Sequence, residues 1–321
     1  MMDTTKAPSS APQPSEIPRS KPMDRAAAGR LMRLATYAAV GVATTLIAVK
    51  FAAWLMTDSV SLLSTLIDSM LDVAASTVNL LAVRQALEPA DTEHRFGHGK
   101  AESLAGLAQS AFISGSAVFL LLQAGERLFH PGPVFNTTVG YAVMAFSIVV
   151  TIVLVMFQKY VARRTESTAI SADSTHYTMD ILVNISVVVA LLLSSELGWE
   201  LADPLLAILI SFYILHGAYS IGMAAYDVLM DRELPDEERD KIRTLALQHD
   251  QVISLHDLRT RQSGPDVFIQ MHLEMNGDLS LFEAHEVAET VMATIEVAYP
   301  RAEVLIHQDP AGVDELRAFD D

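Results

Sequence analysis

Six long apolar stretches occupy the first two thirds of the chain, at residues 31–56, 60–87, 101–129, 137–161, 171–197 and 201–229. A helix needs about 20 mostly apolar residues to cross a bilayer. Inside hydrocarbon every backbone polar group must find its partner within the protein, so spans of this length read as helices. The third and fourth are separated by His130-Pro131-Gly132-Pro133, a strong helix stop, and the fifth and sixth by a turn around Gly198. Six membrane helices are expected.

Basic residues orient them. Arg25, Arg30 and Arg33 flank the first span. Arg84, Arg95 and Lys100 lie between the second and third, and Lys159, Arg163 and Arg164 between the fourth and fifth. The opposite loops carry little beyond Arg127. Both termini are therefore expected in the cytoplasm, of a bacterial inner membrane in the simplest case.

The remainder of the chain differs in character. Residues 232–321 hold 8 Lys/Arg against 20 Asp/Glu, most of the net charge of −17. An acidic domain repels nucleic acid and attracts cations, although acidity also serves solubility alone. The chain has no cysteine, which excludes disulfides and thiolate metal sites. Any metal site must use His and carboxylates, which favours Zn, Fe(II), Mn or Co over Cu(I). The Pro- and Ser-rich start has no apolar core segment and reads as a disordered tail. The expected division is a tail at 1–27, a membrane domain at 28–231, a cytoplasmic metal-binding and dimerisation domain at 232–310, and a tail at 311–321.

The cytoplasmic part reads as a helix at 235–249, strands at 252–261 and 267–275, a helix at 281–298 and a final strand at 303–307. Phe268, Gln270, His272 and Glu274 would share one strand face. The order α-β-β-α-β suits an open-faced sandwich, with two helices on one side of a sheet.

Two of the apolar spans carry matching pairs of ionisable residues. Asp68 and Asp72 lie in the second, His176 and Asp180 in the fifth. Each pair is spaced i, i+4 and so shares one helix face. An Asp at mid-membrane costs about 2.5–3.5 kcal/mol on insertion scales. Facing the pairs towards one another, with a divalent cation between them, removes most of that cost. Three carboxylates and an imidazole also supply the four ligands of a tetrahedral zinc site. The competing reading is hydrogen bonding to Ser64, Ser69, Ser76, Asn79 or Asn184. Imidazole titrates near pH ~6.5, so protons and metal compete for these groups, the chemistry of a proton-coupled antiporter.

Two further groups are candidates. Asp91, His94 and His98 sit in the loop between the second and third spans. His256, His272, His285, His307 and Asp309 fall on separate elements of the soluble domain, with His249 a weaker candidate at a helix end. Both groups could equally be solvated surface. His285-Glu286-Val287-Ala288-Glu289 approaches the zincin pattern but ends in Glu, and no nucleophile accompanies it. An enzyme is not expected.

Several segments together resemble the cation diffusion facilitator family, and within it the bacterial ferrous-iron/zinc efflux subgroup, from about residue 31 to residue 310. They are Asp68-Ser69-Met70-Leu71-Asp72, the loop from Pro89 to Glu102, His176-Tyr177-Thr178-Met179-Asp180, Asp231-Arg232-Glu233-Leu234-Pro235-Asp236, His256-Asp257-Leu258-Arg259-Thr260-Arg261 and Ile306-His307-Gln308-Asp309-Pro310. The resemblance implies a homodimer that exchanges cytoplasmic metal for protons, with a metallochaperone-like cytoplasmic domain. It implies a transport site at Asp68, Asp72, His176 and Asp180, and a loop site at Asp91, His94 and His98. It implies a binuclear cytoplasmic site at His256, His272, His285, His307 and Asp309, with Gln308 nearby, and an inter-subunit charge interlock at Lys100 and Asp231. The departures are the long N-terminal tail and Thr175, where relatives tend to carry a bulkier apolar residue.

The expected function is proton-coupled export of a divalent metal, zinc foremost, with Fe(II), Cd and Co as other cargoes. A passive metal channel and a membrane metal sensor are the alternatives. A channel would want rings of ligands along a pore, and a sensor would want an output domain.

Overall fold

The computed structural model describes residues 25–57, 60–129, 138–197 and 201–313. Most of the proline-rich start, the His130–Pro133 stop, the Gly198 turn and the segment from 314 onward lie outside the described residues. Six long helices form the first domain: α1 (Arg25–Thr57), α2 (Val60–Ala86), α3 (Lys100–Phe129), α4 (Thr138–Thr165), α5 (Thr168–Leu197) and α6 (Ala202–Leu229). Helix α1 begins before its apolar stretch, because Ala26-Ala27-Ala28 favours helix without needing lipid. Among the described residues, four segments are long and apolar enough to cross a membrane: Ala26–Met56, Lys100–Glu126, Ala142–Thr165 and Pro204–Leu229. Helices α2 and α5, which carry the ionisable pairs, run 27 and 30 residues.

The bundle is arranged for lipid rather than water. Large apolar side chains such as Met56, Phe119, Leu122, Met156 and Leu209 point outward, and Ala35, Ala39, Ala117, Ala218, Ser147 and Ser211 are buried. Without a hydrophobic drive between helices, small residues let the backbones approach. Gly222 of α6 shows the closeness: a Cβ there would meet Ser110 Oγ of α3 at 2.9 Å.

The second domain runs α7 (Asp236–Ala246), β1 (Val252–Ser263), β2 (Asp266–Met275), α8 (Leu281–Ala298) and β3 (Ala302–Pro310), the order expected from sequence. The sheet order is β1-β2-β3. Strands β1 and β2 are antiparallel, closed at Ser263 and Asp266, and β2 and β3 are parallel. Gly264 turns the hairpin at φ +59. Helix α8 makes the parallel crossover and starts on a capping box formed by Ser280 and Glu283. Ile269, Met271 and Leu273 of β2 pack on Ile242 of α7 and Val291 and Ile295 of α8. One sheet face is thus closed by helices and the other is left open. Several boundaries differ from the sequence reading by one to three residues, β1 for example continuing to Ser263. Helix α7 ends at Ala246, and β3 continues to Pro310, so that Asp309 lies within the strand.

The domains meet at a short polar junction. Lys100 Nζ lies 2.8 Å from Asp231, which Arg261 also approaches at 3.6 Å. Arg261 stacks over Phe96 at 4.6 Å and over Phe268 at 4.9 Å. Gly99 packs so closely on the Ser263 carbonyl that any Cβ would collide with it. Gly99→Ala is therefore expected to lift the α2–α3 loop from the β1–β2 turn. Faster proteolysis of that loop, with the helix content of the membrane domain unchanged by circular dichroism, would show it.

Candidate metal centres

Helices α2 and α5 bring Asp72, His176 and Asp180 together inside the bundle. His176 Nε2 lies 3.2 Å from Asp72 Oδ1 and 3.7 Å from Asp180 Oδ2. Ligand atoms from all three fall within 4.8 Å of one another, and His176 is 7% exposed. Asp68 stands one turn before Asp72 on α2, and its side chain lies outside those described. Two of the alternative hydrogen-bond partners are engaged elsewhere. Ser69 accepts from Lys50 Nζ at 2.6 Å, and Ser76 bonds the Tyr177 hydroxyl at 2.8 Å, tying α2 to α5.

A second layer of polar groups holds α5 in register. Asp173, one turn before His176, is buried and accepts from Gln109 Nε2 of α3 at 2.9 Å and from Gln158 Nε2 of α4 at 2.5 Å. Glu102, in the first turn of α3, accepts from the Ser167 hydroxyl at 2.6 Å and from the Ala169 N–H at 3.3 Å. A carboxylate thus sits at the start of α5, the end that favours negative charge. The sequence reading did not single out Asp173, Glu102, Gln109, Gln158 or Lys50. Their polarity within apolar stretches was the available signal.

The loop cluster closes on itself. Asp91 Oδ1 accepts from the N–H groups of Glu93 at 2.9 Å and His94 at 2.6 Å. The His94 ring stands 3.3 Å from Asp91, and His98 Nε2 stands 3.5 Å from it on the other oxygen. The His94 N–H, then that of Glu93, holds the Asp91 carboxyl below its ordinary range. The turn therefore contributes stability above the ordinary carboxylate range and loses it only as pH falls through the lowered value. His98 Nδ1 is buried with no hydrogen-bond partner among the described residues.

The third cluster occupies the open sheet face. His256, His272 and His307 stand in one row across β1, β2 and β3, with Glu274 and Asp309 paired in the next register position. Asp309 is 4% exposed and ringed by imidazoles: His272 Nδ1 at 2.8 Å, His307 Nε2 at 3.1 Å and His256 Nε2 at 3.4 Å. A carboxylate among three histidines suits one or two divalent ions held by nitrogen and oxygen. Glu274, outside the expected ligand set, accepts from Ser254 at 2.7 Å and lies 3.6 Å from His256 Nδ1.

Three expected residues are placed apart from this row. Gln308 pairs with Leu273, so strand alternation gives it the helix-covered face, opposite Asp309. His285 is exposed on α8, 3.9 Å from Glu289. His249 Nδ1 accepts from the Gln251 N–H at 3.3 Å, a turn contact rather than a ligand position. Lys100 and Asp231 form their ion pair within one chain, at 2.8 Å.

Residues 36–230 match the model of the cation efflux transmembrane domain, and residues 234–311 that of the cation efflux protein cytoplasmic domain. The chain is 49% identical over 283 residues to the cation-efflux pump FieF of Shewanella oneidensis, covering 88% of this chain and 95% of that protein. It is 49% identical over 294 residues to FieF of Salmonella arizonae, covering 91% and 98%. A solved structure of the candidate zinc transporter CzrB in its zinc form is 32% identical, covers 26% of this chain and 98% of its own, and gives a TM-score of 0.25.

Two expectations rest on these geometries. Asp91→Asn should keep the loop turn and weaken loop zinc binding at least tenfold, whereas Asp91→Ala should lose both. Hydrogen exchange across residues 91–98 and zinc titration separate the two effects. Asp309→Ala should abolish the zinc-induced rise in the thermal midpoint of the cytoplasmic domain, read by differential scanning fluorimetry with and without zinc.

Proposed function

The chain belongs to the cation efflux family, and from that premise we propose that it exports a divalent transition metal from the cytoplasm in exchange for protons. Zinc is the first cargo, with Fe(II), Cd and Co as others. The observation that carries the reading is the convergence of Asp72, His176 and Asp180 between two helices long enough to span the bilayer. Asp68, by its i, i+4 spacing, completes four ligands. The imidazole favours zinc over manganese, and the Irving–Williams order favours zinc over Fe(II).

The same donors take up protons or metal, never both in full, because ligation needs deprotonated groups. Metal enters from the cytoplasm, the helices rearrange, and protons arriving from the far side displace it. Each charge moving with the field gains about 2.3 kcal/mol per 100 mV. A clustered site of this kind suits alternate opening to the two sides rather than an open pore. No acid–base or nucleophilic step is needed, in keeping with a family of transporters rather than enzymes.

The protein spans a bacterial inner membrane six times, with both termini cytoplasmic, and works as a homodimer. The membrane domain covers 28–231 and the cytoplasmic domain 232–310. In the dimer, His285, which stands apart in one chain, completes a binuclear site with His256, His272, His307 and Asp309. The pair of Lys100 and Asp231 keeps the two domains together at the subunit junction. Zinc there stabilises the dimer, and zinc in the loop joins the two levels.

The test is zinc entry into proteoliposomes loaded with a zinc dye, with and without an opposing proton gradient. Saturable flux that rises with the gradient is expected, and Asp72→Ala or Asp180→Ala should abolish it while leaving the helix content unchanged. Flux indifferent to protons would replace exchange with a channel, and no flux of any divalent metal would leave a sensor. His256→Ala should only slow transport, while lowering zinc-dependent dimer stability by analytical ultracentrifugation.

A further inference from the structure

Lys50 lies on α1 and turns into the bundle. A lysine in a membrane helix ordinarily extends along the helix to place its ammonium in the headgroup layer. Here Nζ instead donates to Ser69 Oγ at 2.6 Å. Ser69 is 0% exposed and stands ten residues into α2, between Asp68 and Asp72. The ammonium therefore lies at the depth of the α2 turn that leads to Asp72, and α1 packs along α2 to hold it there. Neither the metal ligands nor the family motifs include this residue.

Resting on the export reading above, we propose that Lys50 is a fixed counter-charge of the transport site, a positioning residue that weakens the hold on the cargo enough for it to leave. Asp68, Asp72 and Asp180 bring three negative charges to a divalent ion. A lone excess of negative charge in a medium of low dielectric would bind the ion tightly and release it slowly. One permanent positive charge offsets the excess, so that the loaded site carries none. Ser69 holds the ammonium on the turn of α2 that precedes Asp72, and a protonated amine stays outside the ligand set because it cannot coordinate metal. A structural pin between α1 and α2 would need only the hydrogen bond, whereas a counter-charge needs the charge.

Lys50→Gln retains a donor for Ser69 and loses the charge, and Lys50→Arg retains the charge. Zinc exchange is measured in proteoliposomes for both, giving KM and kcat separately. Lys50→Gln is expected to lower the apparent KM by roughly tenfold or more, with kcat falling alongside, the signature of a ground state bound too tightly. Lys50→Arg is expected to stay close to wild type. An unchanged or higher KM in Lys50→Gln would overturn the proposal.

Equilibrium binding of radioactive zinc to the full-length protein supplies the second measurement, with the background set by adding Asp72→Ala. Tighter Asp72-dependent binding in Lys50→Gln sustains the counter-charge even if its flux is too slow to follow, and equal or weaker binding removes it. Absence of exchange in the wild type would instead remove the export reading, and the binding comparison would still decide the role of Lys50.

Discussion

An ionised carboxylate has few stable places in hydrocarbon, and the membrane domain is organised around that constraint. Each Asp near the bilayer centre costs about 2.5–3.5 kcal/mol unless its charge is met. Asp72 and Asp180 meet His176, and Asp173 meets two amide side chains from α3 and α4. The result is that α5 is bound by polar contacts on several sides, through Tyr177 to α2, Asp173 to α3 and α4, and its first turn to Glu102. Packing by small residues keeps these partners within reach, since bulky side chains at the helix contacts would push donor and acceptor apart.

The same economy joins the domains. Within a few residues the chain provides His98 to the loop cluster, Gly99 to the β1–β2 turn, Lys100 to the linker carboxylate Asp231 and Glu102 to the start of α5. Phe96, just before them, forms one side of the Arg261 stack. A displacement of this segment is therefore felt at three places at once: the loop ligands, the sheet that carries His256 and His272, and the helix that carries His176 and Asp180. Asp231 sits at φ 55, a left-handed conformation that Asp tolerates better than most residues, and it turns the chain from α6 into the second domain. Glu233 then docks the linker on β1, accepting from the Thr260 N–H at 2.8 Å.

Sequence alone carried the long helices, the order of the cytoplasmic elements and the pairing of ionisable residues on one face of α2 and one face of α5, because each has a strong local signal. Apolar length marks a span, i, i+4 spacing marks a helix face, and Ser263-Gly264-Pro265-Asp266 marks a hairpin. Long-range placement had no such signal. The row of His256, His272 and His307 depends on strand register, and only the register separates Asp309 from Gln308 by face. Asp173 escaped because its partners, Gln109 and Gln158, come from two other helices, whose packing against α5 leaves no mark in the local sequence. His285 was grouped with the sheet histidines from its place in the same domain, and one chain leaves it on the exposed side of α8.

The three candidate metal clusters share carboxylate and imidazole chemistry but differ in what holds them. In the cytoplasmic domain the ligands project from a hydrogen-bonded sheet whose other face is a packed core, so their spacing is fixed by strand register and can change little without unfolding. The loop ligands are held by one Asx turn, and two of the three are exposed to water. The membrane ligands belong to two separate helices, and a modest shift of α2 against α5 would alter every distance between them. A rigid site can hold a metal, an exposed one can exchange it with solvent, and only a site divided between movable helices can present it first to one side of the membrane and then to the other. Helix pairing, more than the identity of the side chains, thus distinguishes the membrane cluster from the other two.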